Sequence, residues 1–382
     1  MAKVKESKED KDEKKKITSI FDGLRELNPY GALLSESALS IVDEWTDTGS
    51  YALNAIVSGS CFKGIQNGRV AVISGPSGCG KTLFAMKIVG NHLKKDPRNI
   101  AVIFDSEIAV DKQTAVNLGA DPTRIHHYPV KSVNEARNQS LKLLNNIAEM
   151  GLQRRVMIVI DSLGQLVGTK ELQDAEKDKD AVDMGLRAKE LRSFLRVITW
   201  PAAIAKTSVI CTNHTYKDPM AMYESAVQNQ SGGEGPTYAA SLIIQLGFKR
   251  EKNEKDYEHE EIIAIAKKVG GITMHALTIK NRFIPQMLTT DLYLNFKTGL
   301  DRYSGLFDIA KSLNVFSGGT KYEIGNTMLG YRKDFEKDPD VWDKIILPVL
   351  EPLINKEFSF HSDADDLLKE VAELEKLATI EE

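Results

Sequence analysis

Gly75, Pro76, Ser77, Gly78, Cys79, Gly80, Lys81 and Thr82 fit the spacing G-x-x-x-x-G-K-[ST] without a mismatch. The chemistry of that spacing is phosphate binding. Glycines let successive backbone N–H groups turn inward and form an anion-binding concavity. The lysine ammonium belongs on the β- and γ-phosphates, and the Thr82 hydroxyl on Mg²⁺. Residues 69–74 just before it are a short β-branched apolar run, and 83–93 after it are a proline-free apolar stretch of helix length. Strand, glycine loop and helix together bring the positive end of a helix to the phosphates.

Further residues fall where a hydrolytic site needs them. Asp161 closes the apolar run 155–161, about eighty residues after the loop, where a carboxylate holds Mg²⁺ directly or through water. Glu107 follows the run that ends at Asp105. It fits either a base polarising the attacking water or an exposed loop acid. His214 follows the run 207–213. It fits either a γ-phosphate contact that reports to the next segment or a satisfied strand-end histidine. Two long segments without apolar periodicity, about 163–185 and 215–236, follow two of these runs. Such loops on a nucleotide-bearing sheet point to a ligand whose binding ATP switches.

The elements that must position these residues alternate in type. Runs at 69–74, 100–105, 155–161 and 207–213 read as strands, and 83–93, 132–149 and 186–205 as helices. Alternation of this kind predicts βαβ units and a mainly parallel sheet, with the site at the carboxyl ends of the strands. Strand-like runs at 240–248, 262–266, 274–280 and 291–296 are expected to extend it in antiparallel fashion, with the charged stretch 249–261 as a hairpin tip. The expected organisation is an N-terminal arm (1–40), a core (41–303) and a small helical C-terminal region (304–382). Residues 1–16 hold seven Lys and five Asp/Glu, and 363–382 hold eight acids and two lysines, with Leu367, Val371, Leu374 and Ala378 at helical spacing in the same stretch. Apolar residues at Ile17, Ile20, Phe21 and Leu24 have helical spacing.

Composition narrows the class. In 382 residues the apolar fraction is 42%, enough for a large core, and the net charge of −4 argues against a generally basic nucleic-acid coat. Three scattered cysteines, Cys61, Cys79 and Cys211, exclude a disulfide framework and fit a reducing cytoplasm. No apolar run reaches membrane-spanning length, and the lysine-rich start has no apolar core of a secretory signal.

The motifs in chain order resemble the RecA family of strand-exchange recombinases, in particular its tailed-phage branch, represented by UvsX. They are the phosphate loop, Phe104-Asp105-Ser106-Glu107, Ile160-Asp161-Ser162-Leu163, Asp183-Met184-Gly185-Leu186, Thr212-Asn213-His214-Thr215, Gly232-Gly233-Glu234-Gly235-Pro236 and Ile279-Lys280-Asn281-Arg282. The resemblance spans roughly residues 53–308 and implies an α/β fold: a RecA-like P-loop ATPase core, flanked by an N-terminal helical arm and the C-terminal helical region. It implies Glu107 as general base, Asp161 at the magnesium site and His214 as γ-phosphate sensor. Lys280 and Arg282 match a basic pair that reaches a neighbouring subunit's ATP. Asp111 matches the residue that reads the adenine edge, while Thr114 stands where relatives offer an aromatic.

The two long loops then match DNA-binding loops. Lys189 and Arg196 face the DNA backbone, Ser231, Gly232 and Gly233 approach phosphates, and Met220, Met222 or Tyr223 is placed to wedge between bases. The implied function is a DNA-dependent ATPase with ATP and Mg²⁺ as cofactors. It forms a helical filament on single-stranded DNA and exchanges strands with a homologous duplex, aided by mediator and single-strand-binding proteins. A ring-forming helicase and a non-hydrolysing recombinase-like mediator are the alternatives on the same fold.

Overall fold

The computed structural model describes residues 16, 19–21, 23–24, 26–40, 42–175, 177, 184–216, 227–248, 271–295 and 299–360. Residues Glu44–Phe360 form one compact unit; Met1–Asp43 with His361–Glu382 are grouped separately. The expectations for residues 1–15, 249–270 and 361–382, and those for Met220, Met222 and Tyr223, lie outside the described residues. In the second group, residues 19–21, 23–24 and 26–27 are helical, and Leu34–Glu36 is a short 3-10 turn.

The larger unit is built on one sheet. The strands along its main path are β1 (Val70–Gly75), β2 (Ile100–Asp105), β3 (Ile125–Pro129), β4 (Val156–Asp161), β5 (Val209–Tyr216), β6 (Leu242–Phe248), β7 (Gly271–Asn281), β8 (Thr289–Asn295) and β9 (Gly299–Leu300), and the two-residue strand Asn229–Gln230 pairs antiparallel with β5 off that path. They lie in the order β9-β8-β7-β6-β1-β5-β4-β2-β3. From β6 to β3 every neighbouring pair is parallel; from β6 outward through β7, β8 and β9 every pair is antiparallel. The mainly parallel sheet with an antiparallel extension is therefore present. One strand differs from its expected direction: β6 runs parallel to β1 and is the hinge between the two halves. Periodicity cannot report strand direction.

Strand pleat explains the two cores. Side chains alternate across a sheet, so Ala71, Ile73, Ile103 and Val159 face one cluster, with Phe84, Ile88 and Leu53. Val70, Val72, Phe104 and Ile160 face the other, with Val133, Leu144, Phe194 and Ile198. The helices that cover the sheet are α1 (Tyr51–Ser58), α2 (Lys81–Lys95), α3 (Val133–Glu149) and α4 (Met184–Ile204). Local sequence starts them. The Ser132 hydroxyl at the head of α3 accepts from Glu135 N at 3.2 Å, and the Glu135 carboxylate accepts from Lys131 N at 3.0 Å.

Residues 304–360 pack into the first cluster through Phe307, Trp342 and Leu350. This region is helical at Leu306–Ser312 and Leu347–Glu357, and it also carries a hairpin, Tyr322–Ile324 with Thr327–Gly330, around Gly325. No helix among the described residues is long and apolar enough to cross a membrane.

Candidate active site

The phosphate loop leaves the carboxyl end of β1 and enters α2 at Lys81. Gly78 and Gly80 sit at φ 77° and 85°, in the left-handed region that glycine enters without strain. The loop borders a cavity of about 230 Å³ whose wall includes Ser77, Gly78, Gly80, Lys81 and Thr82 from the loop side. Glu107, Asp161 and His214, from the carboxyl ends of β2, β4 and β5, close the other side. Pro76 begins the loop, and Cys79 is buried beneath it, where burial pushes the thiol pKa up against the lowering effect of Lys81. Lys81 folds back and donates to the carbonyls of Gly75 at 3.0 Å and Pro76 at 2.8 Å. Phosphate oxygens offer the same ammonium stronger, charged acceptors.

Asp161 is 2% exposed and both its oxygens are engaged. Thr82 Oγ1 donates to one at 2.7 Å, and Thr212 Oγ1 donates to the other. Burial pushes the Asp161 carboxyl above its ordinary value; the Thr212 and Thr82 hydrogen bonds pull it down, and the charges of Glu107 and Asp105 add to the rise. A carboxylate and a hydroxyl 2.7 Å apart on the rim of a cavity bordered by the phosphate loop are hard oxygen donors that fit Mg²⁺, an ion that takes few protein ligands. Among the described residues no cluster of three or more His, Cys, Asp or Glu could hold a metal ion.

Glu107 is held by two neighbours. Ser162 Oγ donates to its Oε1 at 2.5 Å, and His214 Nε2 lies 2.9 Å from the same oxygen. Sequence reasoning missed the residue that shapes this loop. Asp105 is wholly buried, and its carboxylate accepts from the backbone N–H groups of Glu107 (2.9 Å), Ile108 (2.7 Å) and Val110 (3.3 Å), and from His127 Nε2 at 3.0 Å. The signal was available: an Asp two residues before the functional acid is the pattern of an Asx turn. Thr212 and Ser162 were likewise quoted only as parts of motifs.

The other expected residues are divided between places. Asp111 does not line the cavity; it caps the short helix Lys112–Asn117, accepting from Gln113 N at 2.7 Å and Thr114 N at 3.0 Å. Lys189 and Arg196 are exposed on α4. Gly232 and Gly233, which follow Ser231, come against the same helix, near Leu191 and Ala188. The start of this turn is tied to β5, because Ser231 N donates to His214 O at 2.8 Å and Asn213 Nδ2 to Ser231 O at 2.9 Å. Lys280 and Arg282 lie elsewhere. Arg282 N donates to Ser241 O at 3.1 Å and Ser241 N to Val70 O at 2.9 Å, level with the start of β1. Five strand steps separate Val70 from Gly75, about 17 Å at roughly 3.3 Å per residue. Lys280 Nζ points the same way, donating to the carbonyls of Thr237 at 2.6 Å and Tyr238 at 3.1 Å.

The RecA N-terminal domain family matches residues 32–301. A phage T4 protein described as a recombination and repair protein is 29% identical over 261 residues, 68% of this chain and 62% of the phage protein. The RecA protein of Campylobacter hominis is 24% identical over 95% of this chain and 99% of its own length. That of Thermus aquaticus is 26% identical over 80% of this chain and 84% of its own length.

Proposed function

The chain belongs to the RecA family, and from that membership we propose that it is an ATP-dependent recombinase acting in recombination and repair. It assembles as a helical filament on single-stranded DNA, hydrolyses ATP there, and pairs the bound strand with a homologous duplex. ATP and Mg²⁺ are its cofactors. Lys81 and the loop amides take the phosphates, and Thr82 and Asp161 hold the metal, which when bound supplies charge neutralisation at the transferring phosphate. Glu107 takes the proton of the attacking water, and His214 meets the γ-phosphate. Asp111, held as a helix cap, is the residue nearest in role to a base-edge reader.

The observation that carries the reading is the separation of Lys280 and Arg282 from the phosphate loop of their own chain, at opposite ends of β1. Two cations so placed serve a second copy's nucleotide. A site completed in trans neutralises the transferring phosphate only within an assembly, and so ties hydrolysis to polymerisation. Gly232 and Gly233 lie against α4, the helix that also carries the exposed Lys189 and Arg196, which supports reading these residues with Ser231 as a DNA surface. Met220, Met222 and Tyr223 complete it as candidates for the wedge between bases. Contacts of this kind go to the backbone, so affinity is salt-sensitive and nearly indifferent to sequence. Mediator and single-strand-binding proteins are its expected partners, in the cytoplasm.

Subunit mixing tests the reading. Lys81→Ala protomers lack the phosphate lysine; Lys280→Ala/Arg282→Ala protomers lack the trans cations. Each alone is expected to hydrolyse almost no ATP with single-stranded DNA. Mixed, the Lys81→Ala protomers supply cations to the nucleotide of their neighbours, and turnover returns in part. Mixtures as inactive as either parent would contradict a site shared between copies.

A further inference from the structure

The turn that follows β4 approaches His214 more closely than a side chain would allow. A Cβ placed on Gly164 would lie 2.8 Å from His214 Cδ2, against 3.5 Å from His214 Cβ and from Asn213 Oδ1. Real Cβ contacts are not made at the first distance, so either the turn or the imidazole must move. The turn is held on two sides. Leu163 N donates to Thr212 O on β5 at 2.9 Å. From the other side, the Arg187 guanidinium, one turn into α4, donates to Leu166 O at 2.7 Å, to Leu163 O at 3.1 Å and to Gly164 O. Among the described residues, by contrast, the His214 ring is fixed only by Glu107, at 2.9 Å. The imidazole is the part that yields.

We propose that Gly164 is a positioning residue for ATP hydrolysis: its missing side chain is what lets the His214 ring stand against the Glu107 carboxylate. The inference rests on the reading of Glu107 as base and His214 as γ-phosphate contact. The backbone of Gly164 does not need glycine, since its φ lies outside the left-handed region. Alanine is therefore tolerated by the chain, and its one added methyl acts on the ring. Arg187 makes the contact more than local. It belongs to the helix that carries Lys189 and Arg196, so the turn that sets His214 is pinned by the element that bears the DNA-facing cations.

The test is Gly164→Ala, alone and in a His214→Ala background, in the full-length protein. Alone, it is expected to lower kcat with single-stranded DNA roughly tenfold, a fraction of the 10²–10⁴-fold that positioned acid–base groups supply, while KM for ATP changes less than about twofold. In the His214→Ala background no ring is left to displace, and the same methyl is expected to change kcat less than about twofold. Equal losses in both backgrounds would mean that Gly164 acts through the turn itself, and would overturn the proposal while leaving the site reading intact. A crystal structure of Gly164→Ala reads the steric claim without activity: His214 Nε2 is expected beyond hydrogen-bond distance of Glu107, and an unchanged pair overturns it. If His214→Ala alone leaves turnover unaffected, the role given to His214 fails, and the crystal structure still decides whether Gly164 sets its ring.

Discussion

Removing the Thr212 hydroxyl is the sharpest perturbation of the Asp161 carboxylate. Thr212 is fully buried and Asp161 nearly so, and the Thr212 hydroxyl is one of the two side-chain donors that reach Asp161. Thr212→Val keeps the shape and deletes the donor. A hydrogen bond to a charged group contributes about 1.5–3 kcal/mol, and a buried oxygen left unsatisfied retains its desolvation cost. The added methyl returns under about 1 kcal/mol of apolar burial. The net loss expected is about 2 kcal/mol. It is read from urea unfolding without nucleotide or Mg²⁺, followed by tryptophan fluorescence and far-UV circular dichroism. The same substitution in an Asp161→Ala background removes the partner, and there Thr212→Val should cost less than about 0.5 kcal/mol. Equal costs in both backgrounds would refute the reasoning, because the hydroxyl would then be stabilising something other than Asp161.

Three other outcomes follow from the same geometry. Asp105→Ala frees the N–H groups of Glu107, Ile108 and Val110. It should therefore lower kcat at least tenfold while fluorescent ATP analogues still bind, and loss of binding alone would be the contrary result. Asn54 accepts from Thr48 N at 2.9 Å and Thr48 Oγ1 at 2.7 Å and donates to Asp47 at 2.7 Å and Cys61 O at 2.8 Å. Asn54→Ala is expected to cost about 2–4 kcal/mol of stability in chemical denaturation, since several buried partners lose their bonds together. All three thiols are buried, and burial pushes the Cys211 pKa up to about 12. Ellman's reagent should titrate under one equivalent in the native protein at pH 8 and three after unfolding; rapid release of two or more from the native form would show the cores to be open.

What the sequence revealed of the site, it revealed where function occupies consecutive residues. Lys81 and Thr82 are readable because one loop and one helix start hold them. Asp161 is readable because it ends an uninterrupted apolar strand. The residues that hold these groups were hidden, since their partners are distant in the chain: Thr212 meets Asp161 across 51 positions, and Ser162 meets Glu107 across 55. The fold divides in the same way. The strands buried on both faces stand out as apolar runs, whereas β3 at the sheet edge reads Ile-His-His-Tyr-Pro and carries no such signal. Trp45–Asp47 and Gly64–Gln66 were missed because three-residue strands are too short for a period to show.

The central claim, nucleotide-dependent assembly on DNA, is most directly tested by electron microscopy of the full-length protein with long single-stranded DNA, with and without a non-hydrolysable ATP analogue. Continuous helical filaments that need both the DNA and the analogue are the expected result. Closed rings, or isolated particles indifferent to either, would contradict it.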